Sequence, residues 1–309
     1  MKPALIIGST VADITVCIPR LPQTGQDINI SSQSMSLGGC AFNVSEMLRH
    51  FGLPYHLFSP VGRGIYGDFV RDRLSEKGIP LLIPAPEEEN GCCYCFVESW
   101  GERTFAALHG AEYRFKRQWF DLLAPMDLGP VYVCGLELEE ETGDVILDYL
   151  EASPAEALYF APGPRIGDIG DKKLERMLDL SPVVHLNRQE AAECAHSDAS
   201  DASALARAIS RRTGNHVIIT LGADGALVCH RSGRCSHIPS RPARQVDATG
   251  AGDSHIGAVI SCRMQGMFLD DSVRTANLVA AAVVETRGAG LSDEAFHRLN
   301  LSRLEKPHR

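Results

Sequence analysis

The apolar positions of this chain fall into short runs that recur along its length. The first, PALIIGS (3–9), closes on Gly8-Ser9 and has the pattern of a buried strand. Similar runs return as VYVCG (131–135), ALYFA (157–161), VVHLN (183–187) and HVIITLG (216–222). Between them, GDVILDYLEA (143–152) and ASALARAISRRTG (202–214) read as helices, and Gly214 supplies a helix stop. Strands alternating with helices predict a mainly parallel sheet with helices on both faces. LVAAAVV (278–284) predicts a buried helix face and is far shorter than the ~20 residues of a membrane span.

Two regions break the alternation. Residues 14–36 (ITVCIPRLPQTGQDINISSQSMS) and 91–107 (GCCYCFVESWGERTFAA) read as strands joined by turns, the second turning at Ser99-Trp100-Gly101-Glu102. The pattern fits one small sheet lying over a cleft as a lid, and it equally fits ordinary edge hairpins. There is no internal repeat and no linker rich in Pro, Gly or Ser. The expectation is a single α/β domain over 1–309, with a lid formed inside it by segments about 14–36 and 91–107.

Composition narrows the partners. With 309 residues, 44% hydrophobic and 22% charged, the chain is an ordinary globular one. A net charge of -9 argues against a nucleic-acid partner, which needs a concentrated basic surface. A single phosphorylated ligand needs only a local positive site. The N-terminal MKPALIIGSTVAD is interrupted by Gly8-Ser9 and Asp13, unlike a signal peptide, so no membrane association and a cytoplasmic location are expected.

Ten cysteines without a secretion signal read as reduced thiols, many of them small buried apolar residues. In the strand-like run around them, Cys93 and Cys95 share one face and Cys92 points oppositely. Cys229, His230, Cys235 and His237 match no zinc-site spacing. They read as strand core around a turn at Ser232-Gly233, and no structural metal is expected.

The chemistry concentrates at VDATGAGD (246–253), followed by apolar residues at helical spacing: Ile256, Val259, Ile260 and Met264. Gly250, Ala251 and Gly252 therefore open a helix. Its free N–H groups and positive dipole end suit a phosphoryl group. Asp253 in that first turn either caps the helix or removes the proton of an attacking hydroxyl. At an ordinary aspartate pKa of ~3.9 it is ionised at neutral pH, as a base must be. No GxxxxGK[ST] loop exists, and no GxGxxG follows an early strand. The second absence removes the main support for a dinucleotide-dependent oxidoreductase.

These residues resemble the ribokinase-like (PfkB) family of carbohydrate and nucleoside kinases. DATGAGD matches its signature D-[TA]-x-G-A-G-D, and LGGCAFNVSEMLRHFG (37–52) its early Gly-Gly and Asn. HLNRQEA (185–191) carries N-x-x-E, TLGADGALV (220–228) resembles T-x-G-x-x-G, and GERTF (101–105) looks like a lid strand. The match is collinear over nearly the whole chain. Runs such as GPRIGDI (163–169) and LNRQEA (186–191) are closest to a bacterial branch of sugar kinases.

The resemblance implies a three-layer α/β/α sandwich with a mainly parallel central sheet and a small β-sheet lid. It implies an ATP-dependent phosphotransferase acting on a hydroxyl of a sugar or nucleoside. Asp253 matches the catalytic base, and the backbone of Gly250, Ala251 and Gly252 the anion hole. Asp13, Gly38, Gly39 and Asn43 match the positions that bind substrate hydroxyls. Read without the family, Asp13 and Asn43 are loop and helix caps.

Asn187 and Glu190, three apart at a helix start, project to one side. The resemblance gives them Mg²⁺ through water, while their pattern also fits an N-cap pair. Thr220, Gly222 and Gly225 match nucleotide-binding positions, and Asn277 an adenine-side helix residue. Asp247 and the loop TRGAG (286–290) match the region where some members hold a monovalent cation such as K⁺. Where many sugar kinases carry D-x-N-x-R, this chain has Ala161-Pro162-Gly163-Pro164-Arg165 and retains only the arginine. Val11 stands where the ribose-type pattern has an Asn. Arg103 reads as an exposed strand arginine, with reach to the ligands on lid closure as the alternative. A non-catalytic binding protein of the same fold would be expected to lose the base or the glycines, and both are present. The exposed edges of the lid would allow a homodimer.

Overall fold

Residues 1–197 and 199–301 are described by a computed structural model. Strand β1 (Ala4–Ile7) sets the layers: Ala4 and Ile6 enter one core cluster, Leu5 and Ile7 another, and all are fully buried. A strand with both faces covered must be apolar throughout, which is why PALII carries no polar alternation.

The remaining strands are β2 (Val11–Ile18), β3 (Ser32–Gly38), β4 (Tyr55–Phe58), β5 (Cys92–Glu98), β6 (Arg103–Leu108), β7 (Val131–Cys134), β8 (Leu158–Ala161), β9 (Val183–Asn187), β10 (Val217–Thr220), β11 (Ala226–Cys229) and β12 (Cys235–Ile238). Between and after them lie α1 (Cys40–His50), α2 (Gly64–Glu76), α3 (Arg117–Phe120), α4 (Leu136–Glu139), α5 (Gly143–Ala152), α6 (Asp171–Asp179), α7 (Arg188–Cys194), α8 (Ala202–Thr213), α9 (Ala251–Met264), α10 (Leu269–Val283) and α11 (Asp293–Arg298).

The large sheet runs β12-β11-β10-β9-β8-β7-β1-β4. It is parallel from β4 to β10 and antiparallel at β11 and β12. Helices α1, α9 and α10 cover one face, and α5, α6 and α8 the other, giving the expected three layers. Residues Ser254 to Cys262 of α9 are all buried, because α1 and α10 pack against it. At Gly257 a Cβ would stand 2.7 Å from that of Met47, so this helix pair meets at glycine distance. Among the described residues no helix is long and apolar enough to cross a membrane.

The two irregular regions form one separate sheet, β3-β2-β5-β6, with β2 parallel to β5. The pairing of β2 with β5 joins segments far apart in sequence, so they are not hairpins on the edge of the main sheet. Strands β2 and β3 extend beyond the expected 14–36, and Asp13 becomes an interior strand residue instead of a loop cap. The alternation in VADITVCI explains it: Ala12, Ile14, Val16 and Ile18 are buried, whereas Asp13, Thr15 and Cys17 are only partly so. Because registered partners share a face, Asp13, Cys93, Cys95 and Arg103 stand on the same side of this sheet. The opposite side packs on α2, where the Tyr66 and Tyr94 hydroxyls meet at 3.0 Å.

Candidate active site

The first turn of α9 separates a cluster of buried polar side chains from a cleft. Gly250, in the left-handed region at φ 70, is its N-cap, as the Gly-Ala-Gly reading required. A Cβ there would stand 2.2 Å from the carbonyl oxygen of Ala289, so only glycine lets the two loops meet. Beyond it, Asp253 turns toward α1, and Ala251 and Gly252 face the other way into a cleft.

On the α1 side, Asn43 Nδ2 donates to Asp253 Oδ2 at 2.8 Å. Gly38 and Gly39 lead into α1, the first letting Asp13 approach and the second the Ser9 backbone. A Cβ on Gly38 would fall 1.8 Å from Asp13 Oδ2, and one on Gly39 would fall 2.4 Å from the Ser9 carbonyl oxygen. Burial pushes the Asp13 carboxyl up to about 7, and the nearby Asp253 charge adds to the shift. Burial pushes Asp253 up to about 6, opposed by hydrogen bonds from Asn43 and Cys40. The expected base is thus less acidic than a free aspartate, though still mostly ionised above neutral pH.

On the other side lies a cleft of about 220 Å³. Thr220, Gly222, Gly225, Ala251, Gly252 and Asn277 all line it. Asn277 does so with its side chain already committed. Its Nδ2 donates to the carbonyls of Ile238 and Pro239, and its Oδ1 meets His255 Nε2 at 3.1 Å. His255 Nδ1 in turn meets His185 Nε2 at 2.9 Å. Asn277 therefore holds β12 against α10, and the two histidines form a buried string behind the cleft.

Asn187 and Glu190 sit at the next strand end, where Thr220 and Asn187 are register partners. They form a capping box. Asn187 Oδ1 accepts from the Glu190 N–H at 2.9 Å, and Glu190 Oε2 accepts from the Asn187 N–H at 2.9 Å. Burial raises the Glu190 carboxyl, opposed by the Asn187 backbone bond, while Asp253 adds to the rise. The N-cap reading is therefore present, and Asn187 Nδ2 also donates to Glu190 Oε1 at 2.7 Å. Each of these oxygens keeps a second lone pair, a donor type that suits Mg²⁺ through water.

Several features of this region were not read from the sequence. Arg103 is not an exposed strand arginine. Its guanidinium lies 2.7 Å from Asp247 Oδ2, and its side chain is 20% exposed. Cys40 stands beside Asp253 and Cys134. Glu137, fully buried in α4, accepts the Ser9 N–H at 2.7 Å, and burial pushes its carboxyl up to about 7 against the Ser9 hydrogen bonds. Arg165 pairs with Glu139 at 3.1 Å and meets His109 Nε2 at 2.8 Å, a local structural role. Around the β11–β12 turn, His230 meets Asp270 and His237 meets the Asp224 carbonyl, so the four candidate zinc ligands do not converge.

Residues 1–295 match the model of the pfkB family carbohydrate kinases. The chain is 34% identical over 290 residues to the uncharacterized sugar kinase YegV of Escherichia coli, covering 93% of this chain and 90% of that one. Its fold superposes on ribokinase from Thermotoga maritima with a TM-score of 0.84 at 18% identity, covering 97% and 99% of the two chains. Ribokinase from Arabidopsis thaliana, solved with ribose and ATP, superposes with a TM-score of 0.78 at 18% identity, again covering 97% and 99%. Matched by that family model over residues 1–295 and 34% identical to a sugar kinase over nearly its whole length, the chain belongs to the pfkB family of carbohydrate kinases.

Proposed function

We propose that this carbohydrate kinase transfers the terminal phosphoryl group of ATP to a hydroxyl of a neutral sugar or nucleoside, with Asp253 as catalytic base. The observation that carries the reading is the position of Asp253 between the cluster it forms with Asn43 and Asp13 and the glycine-bordered cleft. Asp253 takes the proton of the attacking hydroxyl, and Asn43 holds its carboxylate in place. The N–H groups at Gly250, Ala251 and Gly252 stabilise charge on the transferred group. Asp13, Gly38, Gly39 and Asn43 orient the acceptor, while Thr220, Gly222, Gly225 and Asn277 border the nucleotide. Mg²⁺, held through water by Asn187 and Glu190, would neutralise phosphate charge.

The acceptor side favours a neutral ligand. Asp13, Asp253 and Glu137 bring three carboxyls to this region, and Arg103 and Arg165 are already paired, with Asp247 and Glu139. A sugar acid would meet like charge there. The small sheet acts as the lid, since the face carrying Asp13 also reaches the α9 side through Arg103. Its free edges β3 and β6, with Met35 and Leu108 exposed, fit a homodimer paired through the lid, which light scattering tests. The function itself is tested by ADP release from Mg-ATP across neutral sugars, sugar acids and nucleosides. Turnover confined to sugar acids would overturn the choice of acceptor, and no acceptor-dependent ADP release would favour a non-catalytic member of the fold.

A further inference from the structure

Asp247 is almost fully enclosed, with its side chain 1% exposed. Its Oδ1 accepts the Thr249 N–H at 2.9 Å, and its Oδ2 accepts the Gly288 N–H at 2.7 Å. The carboxylate therefore ties the turn that leads into the anion hole to the loop after α10. These are the same two loops that touch at Gly250 and Ala289. Two backbone N–H groups satisfy lone pairs but leave a full negative charge in a dry place. The cation that meets it is Arg103, at 2.7 Å, reaching across from β6 of the small sheet. The guanidinium is steadied from behind, since its Nη1 lies 3.3 Å from Cys95 Sγ on the adjoining strand. A monovalent cation held by the Asp247 carboxylate itself does not fit this arrangement, because both of its oxygens are engaged and its charge is already met by Arg103.

We infer that Arg103 is a positioning residue: brought by the lid, it serves as the counter-charge of Asp247, orders the anion-hole loops, and makes a monovalent cation at that carboxylate unnecessary. The inference rests on the kinase reading for its effect on turnover, but not for its effect on the loops. Opening the lid would withdraw the guanidinium and leave Asp247 buried and unpaired. Lid position and anion-hole order are thereby coupled through one ion pair. Arginine suits the task because its charge persists at every working pH and its planar fork holds a fixed geometry.

The test compares the full-length protein with Arg103→Ala, Arg103→Lys and the double variant Arg103→Ala/Asp247→Asn. Hydrogen exchange at the Thr249 and Gly288 amides and thermal melting are followed in potassium chloride and in choline chloride at equal ionic strength. Wild type is expected to melt within about 1 °C in the two salts, whereas Arg103→Ala is stabilised by potassium by roughly 3 °C. The two amides should exchange faster in Arg103→Ala, and the double variant should be more stable than Arg103→Ala alone. With an acceptor in hand, kcat of Arg103→Ala should fall by about tenfold or more at little change in the KM for ATP, with partial recovery on adding guanidinium chloride at millimolar concentration. Retention of more activity by Arg103→Lys than by Arg103→Ala supports the charge role. Unchanged exchange at Thr249 and Gly288 in Arg103→Ala, or a wild type that needs potassium, overturns the inference. If no acceptor is found, the kinase reading fails while exchange and melting still decide this one.

Discussion

Asn43 and Asp253 lie 210 positions apart and are joined by a 2.8 Å hydrogen bond from the amide to the carboxylate. The bond has two effects. It fixes the direction of the carboxylate, and it partly offsets the burial that pushes Asp253 up to about 6. The proposed base role requires the unprotonated form, so kcat/KM should fall as pH drops through about 6. Removing the donor in Asn43→Ala should move that acid limb to higher pH, besides weakening acceptor binding. Asp253→Asn should lower turnover by about 10²–10⁴-fold while ATP still raises the melting temperature. An acid limb that stays in place in Asn43→Ala would mean that the hydrogen bond does not set the base.

Asp13 gives a stability prediction of unusual sign. Its folded-state carboxyl is raised from the ordinary 3.8 to about 7, chiefly by burial and then by Asp253. Between those values the native state binds more protons than the unfolded chain, so this group's contribution weakens as pH rises from 4 to 7. Asp13→Asn should therefore melt higher than wild type at pH 8, by roughly 2–4 °C for each kcal/mol recovered. The difference should vanish near pH 4, and the proposed role of Asp13 in orienting the acceptor requires turnover to fall. Circular dichroism melts at the two pH values check this. A variant that is less stable than wild type at pH 8 would show that Asp13 is structural.

Much of this arrangement was legible in the chain. GDVILDYLEA is α5 over its whole length, because its apolar positions repeat at helical period, and Gly214 ends α8 in the left-handed conformation. The DATGAGD turn was legible because Gly250, Ala251 and Gly252 precede apolar residues at helical spacing, and they do open α9. What could not be read depends on contacts between distant segments. Arg103 looks like any exposed strand residue until β5 and β6 are packed over Asp247. Glu137 and Cys40 carry no local pattern that marks them, and their roles arise only where β1, α1 and α4 converge. Asp13 was within reach, since the alternation in VADITVCI announces a strand that begins before residue 14.

The string His185, His255 and Asn277 predicts acid sensitivity from a second source. With Asn277 Nδ2 donating to two carbonyls, its Oδ1 must accept, so His255 donates through Nε2 and accepts from His185 at Nδ1. Both rings are then neutral. Burial lowers His255 to about 4, and burial with the neighbouring His255 lowers His185 well below 6.5. The unfolded chain takes up these protons first, so their stabilising contribution is whole above pH 6.5 and fades as pH falls toward 4. His185→Leu should cost about 1–3 kcal/mol at pH 8, because His255 Nδ1 loses its donor. It should also flatten the decline in urea midpoint between pH 7 and pH 5. An unchanged pH slope in that variant would remove His185 from the explanation.

Gly250 and Gly252 separate a structural glycine from a functional one. At Gly250 the left-handed φ of 70 and the Ala289 oxygen, 2.2 Å from a would-be Cβ, both forbid a side chain. Gly250→Ala should destabilise the fold by about 1–3 kcal/mol and disable catalysis by displacing the loops. At Gly252 nothing lies within 4 Å of a would-be Cβ, and the residue belongs to the first turn of α9. Alanine there costs the helix nothing and can add up to about 1 kcal/mol of stability. A methyl group at that point, however, projects where the phosphoryl group is proposed to sit. Gly252→Ala should melt at or above wild type yet lose turnover and ATP affinity. Differential scanning fluorimetry with and without ATP, alongside ADP release, distinguishes the two cases. Full activity in Gly252→Ala would mean that the phosphate approaches α9 from another side.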